Sequence, residues 1–315
     1  MGEKIVFPDE LQRNIRLAKK AMEQKEFLTS VTYLQKAYEM EMSFEINQLY
    51  TEALLKSEDF KSALQIAQDF AVEYQKTSTT ITTYVRILLL NQQFLTARKL
   101  VIQNSLLTKE QKKTLTQQIK QLELAIDLLD PESLQVKRQL LNQWDESLMP
   151  IITADWEVFV GQLTYPQFIG LMQDFLPKCR NNFLRPRLVE ELVLLGCDKV
   201  IRCARWDNTI ATINLKELKL PEEVPAYQKL KTYFETEIAA TDIQLANYCL
   251  TELSAQLAVT YPFVPFTDDL KRWEQSYILE YQAMMGNNKA VAGLEKLADI
   301  TKQKEKIRQI YQVIF

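Results

Sequence analysis

The feature that most constrains this chain is a segment that recurs with a period of about 34 residues. The sequences around Phe27, Phe60 and Phe94 match one another, and the phenylalanines lie 33 and 34 residues apart. In each copy a small residue follows three positions later: Ser30, Ala63 and Ala97. This period predicts stacked helix-turn-helix units, because one helical hairpin cannot bury its apolar face without a neighbour.

The residues before each phenylalanine have the spacing of a helix. The positions ten and six residues before the aromatic form one stripe, which recurs in all three copies: Leu17 and Ala21, Tyr50 and Leu54, Tyr84 and Leu88. Such a stripe lies on one face of a helix. The pattern therefore predicts a first helix that packs on the second helix of its own hairpin.

These residues resemble the tetratricopeptide (TPR) repeat over roughly residues 9–106. In that family an aromatic residue opens the second helix, and a small residue follows one turn later. The chain departs from the family pattern because it lacks the proline near the repeat end. It also lacks the glycine two positions before the aromatic, where it has Lys25, Glu58 and Gln92. The resemblance implies a right-handed α-solenoid; another array of antiparallel helical hairpins is the alternative.

The whole chain resembles an uncharacterised TPR-containing group of low-GC Gram-positive bacteria. The resemblance rests on the degenerate repeats, the Pro186–Leu192 segment, a hairpin-like stretch and the aromatic linker 261–266. It implies a shape and a binding role, and nothing catalytic.

Beyond residue 107 the helices become longer and less regular. Thr108 and Gln111 form a capping-box pattern that opens a helix to about residue 129. Asp130 followed by Pro131 predicts an N-cap and a helix to about residue 144. A helix over 186–195 is expected to end at Gly196.

Residues 199–215 are rich in β-branched residues around Asp207 and Asn208, which predicts a β-hairpin. The alternative is another helical pair that uses Trp206 as its turn aromatic. Further helices are expected at 225–240, 242–259, 268–285, 288–299 and 301–314. The predicted fold class is therefore all-α, a TPR-like right-handed α-solenoid of antiparallel helical hairpins with a small β-hairpin insertion near 199–215.

Four segments are predicted along the chain. Residues 1–107 hold three degenerate repeats, 108–198 an irregular helical region that continues the solenoid, 199–220 the hairpin, and 221–315 C-terminal helical repeats with a capping helix. The capping helix places an apolar stripe at helical spacing, formed by Ile307, Ile310, Tyr311 and Ile314. Self-association through this stripe is the alternative. The linker 261–266 is expected to bury its aromatic residues, and a docking loop is the alternative.

Composition argues against an enzyme. The chain has no histidine, which removes the commonest general base and metal ligand. Its six glycines form no phosphate-binding loop. The paired acids at 190–191 and 222–223 are expected to be solvated helix faces. No catalytic residue, metal or cofactor is predicted.

The four cysteines are expected to be buried free thiols in a reducing cytoplasm, because their spacing does not suggest a four-thiolate zinc site: Cys179, Cys197, Cys203 and Cys249. The amino-terminal sequence has no secretory pattern, and no apolar run is long enough to cross a bilayer. A cytoplasmic protein without a membrane partner is expected; the oligomeric state and the ligand are open.

The first candidate site is a peptide groove on the first helices of the repeats. In the TPR register the groove-facing positions are Gln12, Ile15, Lys19, Gln48, Glu52, Thr82 and Arg86. Polar side chains on a rigid surface suit an extended or helical peptide, although simple solvation is the alternative. The chaperone-binding subclass of the family holds a C-terminal carboxylate with a lysine-and-asparagine clamp, and that spacing is absent here.

The second candidate site is a basic segment in a chain of net charge -3 and pI near 5.4. Its seven cations are Lys178, Arg180, Arg185, Arg187, Lys199, Arg202 and Arg205. They could contact an anionic protein or an RNA, in which case Trp206 would stack on a base. The alternative is a solvated face on which the charges do not converge. A ribosome- or RNA-associated factor is accordingly the second functional hypothesis, after a non-catalytic scaffold that binds another protein.

Overall fold

The computed structural model describes residues 10–129, 131–161 and 163–312 and is mostly helical. The all-α prediction with a small two-stranded antiparallel sheet is confirmed. Residues 1–9, Asp130 and Ile314 lie outside the described residues. The predicted N-cap at Asp130 and the last position of the C-terminal stripe therefore stay predictions.

The chain divides into two compact units, residues 1–130 with 158–165 and residues 131–157 with 166–315. The unit boundary at residue 130 falls inside the predicted segment 108–198. The first unit contains the helices α1 Glu10–Glu23, α2 Phe27–Met40, α3 Phe44–Lys56, α4 Phe60–Gln68, α5 Ala71–Tyr74, α6 Ser78–Leu90, α7 Phe94–Gln103 and α8 Lys109–Leu129.

Two helices cross the unit boundary, α10 Thr153–Val160 and α11 Tyr165–Phe175. The second unit contains α9 Pro131–Ser147, α12 Leu184–Leu194, β1 Val200–Ala204, β2 Ile210–Asn214, α13 Pro225–Tyr233, α14 Ile243–Thr260, α15 Leu270–Met284, α16 Asn288–Glu295 and α17 Ala298–Tyr311. Short 3₁₀ turns lie at Leu176–Lys178, Pro221–Glu223 and Pro265–Thr267, and a π-helical turn at Phe234–Ile238 continues α13.

In the first unit, helices pack on their neighbours in sequence. Contacts join α1 with α2, α2 with α3, α3 with α4, α6 with α7, and α7 with α8. The small residues Ser30, Ala63 and Ala97 are fully buried, as the repeat pattern predicts. Ser30 also donates a hydrogen bond from Oγ to the carbonyl oxygen of Ala18 at 3.0 Å. Small side chains let the two helices of a hairpin approach closely.

The three repeated turns share one backbone geometry. Each aromatic opens the second helix of its hairpin, and the residue two positions earlier has a left-handed backbone, with φ of 62° at Lys25, 63° at Glu58 and 57° at Gln92. The next amide donates back to the carbonyl five residues earlier, as from Glu26 N to Ala21 O at 2.9 Å. This is the Schellman ending of a helix, in which glycine is the usual residue.

A buried polar network ties α2, α3, α4 and α5 together. The Asn47 side-chain amide donates to Tyr38 Oη at 3.1 Å and to Ile66 O at 2.7 Å. It accepts from Tyr74 Oη at 3.2 Å, and Tyr38 Oη donates to Asp69 at 2.8 Å. Burial raises the pKa of Tyr38 to about 12. The network fixes how the second hairpin meets the first, because its buried polar groups have partners only in this arrangement.

The helix and hairpin signals beyond residue 107 have the predicted geometry. Thr108 N donates to Gln111 Oε1 at 2.9 Å, and Gln111 N donates to Thr108 Oγ1 at 3.2 Å, so the capping box forms. Gly196 follows α12 with φ of 66°. β1 pairs with β2 in antiparallel register, from Val200 with Asn214 to Ala204 with Ile210. The alternative of a helical pair at this position is wrong.

The aromatic linker packs inward, as predicted. Tyr261 and Phe266 are fully buried, and Tyr261 Oη donates to Lys219 O at 3.0 Å. The expectation for the acids at 190–191 needs correction, because Glu191 is buried at 4% exposure while Glu222 and Glu223 are exposed. The periodicity of α12 did not reveal this because its apolar residues surround the carboxylate on several sides.

A buried charged cluster holds α17 against α14 and α15. Lys304 is fully buried, and its Nζ donates to Glu280 Oε2 at 3.0 Å and lies 3.3 Å from the centre of the Tyr277 ring. Arg308 pairs with Glu280 at 2.7 Å and with Glu252 at 2.8 Å. Ile307 is fully buried beside them. The helix thus buries ionic groups beside Ile307, while Ile310 and Tyr311 of the predicted apolar stripe are half-buried.

Candidate functional site

The predicted groove residues lie on three helices of the first unit. Gln12 and Lys19 are exposed on α1, and Ile15 beside them is half-buried. On α3, Gln48 is half-buried and Glu52 is exposed. All of these side chains therefore have surface available for a partner.

The structure brings the two remaining positions, Thr82 and Arg86, together in one cleft. The cleft has a volume of about 800 Å³ and lies between α6, the start of α7, and α8. Along α6 it is lined by Thr82, Thr83, Val85, Arg86, Leu89 and Leu90. The opposite wall comes from α8, with Leu115, Gln118, Gln121, Leu122, Ala125 and Ile126.

The surface of the cleft is mostly apolar with one charge. Leu90 is 37% exposed and Leu122 is 45% exposed. Leucines on a helix face directed towards another helix are usually buried. Among the described residues that line the cleft, Arg86 alone is charged. Arg86 is exposed and makes no ion pair with any described residue. Its guanidinium is therefore available to a carboxylate of a ligand.

Sequence reasoning missed α8 as the second wall of the cleft. The signal was present: Leu115, Gln118, Leu122 and Ala125 recur at steps of three and four residues and therefore form one stripe of α8. One edge of this stripe, at Leu115, joins the buried core next to Ile119, and the rest of it lines the cleft.

A buried ion pair attaches α8 to α7. Arg98 of α7 donates from Nη2 to Glu123 Oε2 at 3.2 Å, and both side chains are almost fully buried. The guanidinium carbon of Arg98 lies 3.9 Å from the centre of the Tyr165 ring. Tyr165 N donates to Glu123 Oε1 at 2.8 Å. These contacts fix the angle of α8 and hence the position of the wall that it presents.

The predicted basic segment keeps four of its seven cations on the surface. Lys178, Arg180, Lys199 and Arg202 are exposed. Arg180 has a distant ion pair with Asp145, at 3.5 Å from Nε. Arg202 lies on β1, whose alternate residues Ile201 and Cys203 are buried.

Three of the seven predicted cations are bound within the fold, which corrects the expectation for them. Arg185 is fully buried and donates to Val259 O at 2.7 Å, so no partner can reach it. Arg187 is half-buried against the Trp156 ring and donates to Ile151 O at 2.9 Å. Arg205 is half-buried, with its guanidinium carbon 5.1 Å from the centre of the Phe263 ring. Arginine stems and guanidinium planes pack well on aromatic rings.

The cysteines are free and buried, as predicted. Burial raises the pKa of the Cys203 and Cys249 thiols to about 12, which keeps them protonated and unreactive. Within the part of the chain that the structure describes, no group of three or more cysteine, aspartate or glutamate side chains is placed to hold a metal ion. None of the described helices combines the length and the apolar character needed to cross a bilayer.

Comparison of this chain with protein-family models, with curated proteins and with solved structures finds no match. The candidate sites are therefore judged on their own geometry.

Proposed function

We propose that this chain is a non-catalytic scaffold or adaptor that binds another protein or a peptide in the groove of a helical-repeat array. The proposal includes the finer architecture, a right-handed α-solenoid of TPR-like hairpins in the first unit. It is supported by three copies of one turn geometry and by packing between neighbours in sequence. It also assigns the protein to the cytoplasm, in keeping with four free cysteines.

The observation that carries the proposal is the cleft between α6 and α8. Exposed leucines on both walls offer apolar contact, while Thr82, Gln118 and Arg86 offer hydrogen bonds and one positive charge. Interfaces of this composition, an apolar centre with a few placed polar groups, recognise peptides and helices.

The proposal is tested by affinity capture from a native extract with the wild-type chain and with a groove variant. The variant combines Lys19→Ala, Glu52→Ala and Arg86→Ala, which are exposed on α1, α3 and α6. We expect proteins that the wild type retains to be lost or reduced at least tenfold with the variant.

The matched control combines Lys36→Ala, Glu39→Ala and Lys61→Ala, which removes the same charges from exposed positions on α2 and α4. This control is expected to retain the wild-type partners. Equal capture by the wild type and the groove variant would contradict the proposal.

The RNA-associated alternative has less support. Its basic segment keeps four exposed cations, because Arg185, Arg187 and Arg205 are engaged inside the fold. Nucleic-acid affinity grows with the number of phosphates that the protein neutralises, so this loss weakens the case.

A further inference from the structure

A second pocket lies in the second unit, and none of the groove residues lines it. It has a volume of about 400 Å³, within the range of roughly 300–1,000 Å³ that small-molecule sites occupy. It is formed by the end of α9, the loop 179–183, the turn of the β-hairpin and the last part of α17. The proposed scaffold function does not use it.

A buried clasp holds the loop that forms one side of this pocket. Asp145 Oδ1 accepts hydrogen bonds from Arg180 N at 2.7 Å and from Asn181 N at 2.8 Å. The Asn181 side-chain amide donates to Trp144 O at 2.8 Å and to Met149 O at 3.0 Å. Asp145 and Asn181 are both buried. The backbone of Arg180 and its neighbours is therefore preorganised.

This loop presents two hydrogen-bond donors to the pocket. The guanidinium of Arg180 uses only Nε, at 3.5 Å from Asp145, which leaves its terminal nitrogens without a partner among the described residues. Asn182 Oδ1 accepts from Nη1 of the buried Arg185 at 2.6 Å, so the Nδ2 amide of Asn182 stays available. A guanidinium beside an amide donor suits a carboxylate.

The same pocket holds an acceptor and an apolar wall. Glu146 lines it and makes no ion pair with Arg180 or with any other described residue. Leu148, Phe183 and Ile310 supply the apolar surface, and Leu148 is 51% exposed. A carboxylate without an ion pair and a guanidinium whose terminal nitrogens have no described partner, which line one pocket without pairing with each other, are complementary to a ligand with both charges.

We propose that this pocket binds a small zwitterion with an apolar side chain, of the size of an amino acid or a dipeptide. The ligand carboxylate accepts hydrogen bonds from Arg180 and Asn182, and its ammonium pairs with Glu146. Its side chain packs on Leu148, Phe183 and Ile310. The buried clasp of Asp145 and Asn181 is a positioning device, because it fixes the loop without lining the pocket.

The test is titration calorimetry on the full chain with two probes, L-leucine and L-leucyl-L-leucine. We expect at least one of them to bind. The N-acetylated and the C-amidated forms of that probe, which each lack one charge, are expected to bind at least tenfold more weakly.

Two variants extend the test. Arg180→Gln and Glu146→Gln are each expected to weaken binding at least tenfold, and both side chains are exposed, so folding is retained. Their matched controls are Arg138→Gln and Asp174→Asn, an exposed ion pair outside the pocket, which leave binding unchanged. Circular dichroism verifies that each variant is folded. The proposal is overturned if neither probe binds, if the blocked forms bind equally well, or if the control variants weaken binding as much.

Discussion

The three left-handed residues at the repeated turns are the clearest feature at the scale of single residues. Lys25, Glu58 and Gln92 each carry a Cβ in a backbone region that costs a non-glycine residue roughly 1–2 kcal/mol. The same turn at Gly196 and Gly286 avoids this cost. Glycine at any of these three turns is therefore expected to make the fold more stable.

Lys25→Gly is expected to raise the free energy of unfolding by up to about 1 kcal/mol, because glycine adopts positive φ without strain. The matched control is Lys20→Gly, the same exposed change inside α1, which is expected to lower stability by about 1 kcal/mol. Urea unfolding of both variants measures whether each change raises or lowers the free energy of unfolding. Destabilisation by both changes would show that the turn does not favour glycine.

Residue-level prediction succeeded where chemistry is local. The aromatic and small residues of the repeats could be assigned from spacing alone, because helix periodicity fixes which side chains share a face. Arg185 and Glu191 could not, because their burial depends on groups brought in by tertiary structure. A charge is buried only where the fold supplies partners, and sequence distance does not encode them.

At the scale of elements, the position of α8 depends on the buried pair of Arg98 and Glu123. Glu123→Gln keeps the shape of the side chain but leaves the Arg98 charge without its partner. We expect a loss of about 3–5 kcal/mol in the free energy of unfolding. Adding Arg98→Met to this variant removes the stranded charge and is expected to recover at least about 1 kcal/mol. Chemical denaturation of the two variants checks this, and a single-variant loss below about 1 kcal/mol would contradict it.

The docking of α17 makes stability depend on pH in the alkaline range. Burial lowers the pKa of Lys304 from 10.5 to about 8, although the pairing with Glu280 opposes the shift. Between these values the unfolded chain holds a proton that the folded chain has released. The contribution of Lys304 to stability therefore rises with pH through this window, by at most about 1.4 kcal/mol per pH unit.

Lys304→Met is expected to remove this contribution, so that between pH 8 and pH 9.5 the stability of the variant rises less with pH, or falls more, than that of the wild type. Other groups face Lys304 and also titrate or carry charge, namely Glu252, Glu280, Arg308, Tyr248, Tyr277, Tyr311 and Cys249. Burial raises the pKa of the tyrosines, so they lower stability only above pH 10, whereas the raised pKa of the Cys249 thiol lowers the stability of wild type and variant alike from about pH 9. Urea unfolding at several pH values gives both slopes, and identical slopes would contradict the assignment.

Element-level prediction worked for the helices with strong end signals. The capping box at Thr108 and the glycine after α12 were identified because each motif satisfies its own backbone groups. The cleft wall on α8 was missed because the repeat register stops near residue 107. Without that register, the sequence does not show that the apolar residues of α8 lie opposite α6.

At the scale of the whole molecule, the net charge of -3 opposes retention on nucleic acid. We expect no retention on immobilised RNA at physiological salt, and no change when Arg202→Glu is combined with Arg205→Glu. Salt-sensitive retention of the wild type that the double variant loses would instead favour the RNA-associated hypothesis. The elution salt in a gradient is the quantity to compare.

The division into two compact units was beyond sequence reasoning. The sequence of the second unit has no repeated spacing from which the packing of its helices could be predicted. Its helices meet through buried polar contacts such as Lys304 with Glu280. In a repeat protein the contacts between units recur at a fixed spacing, so they can be predicted from the sequence. Irregular packing produces no such spacing in the sequence.

The ionic attachment of α17 has a consequence for anyone who shortens the chain. Cutting before Lys304 would strip two cations from the interior and strand Glu252 and Glu280 as uncompensated anions. Truncation at this end would therefore leave buried, unpaired negative charge in the core, and we expect the surrounding helices to unfold.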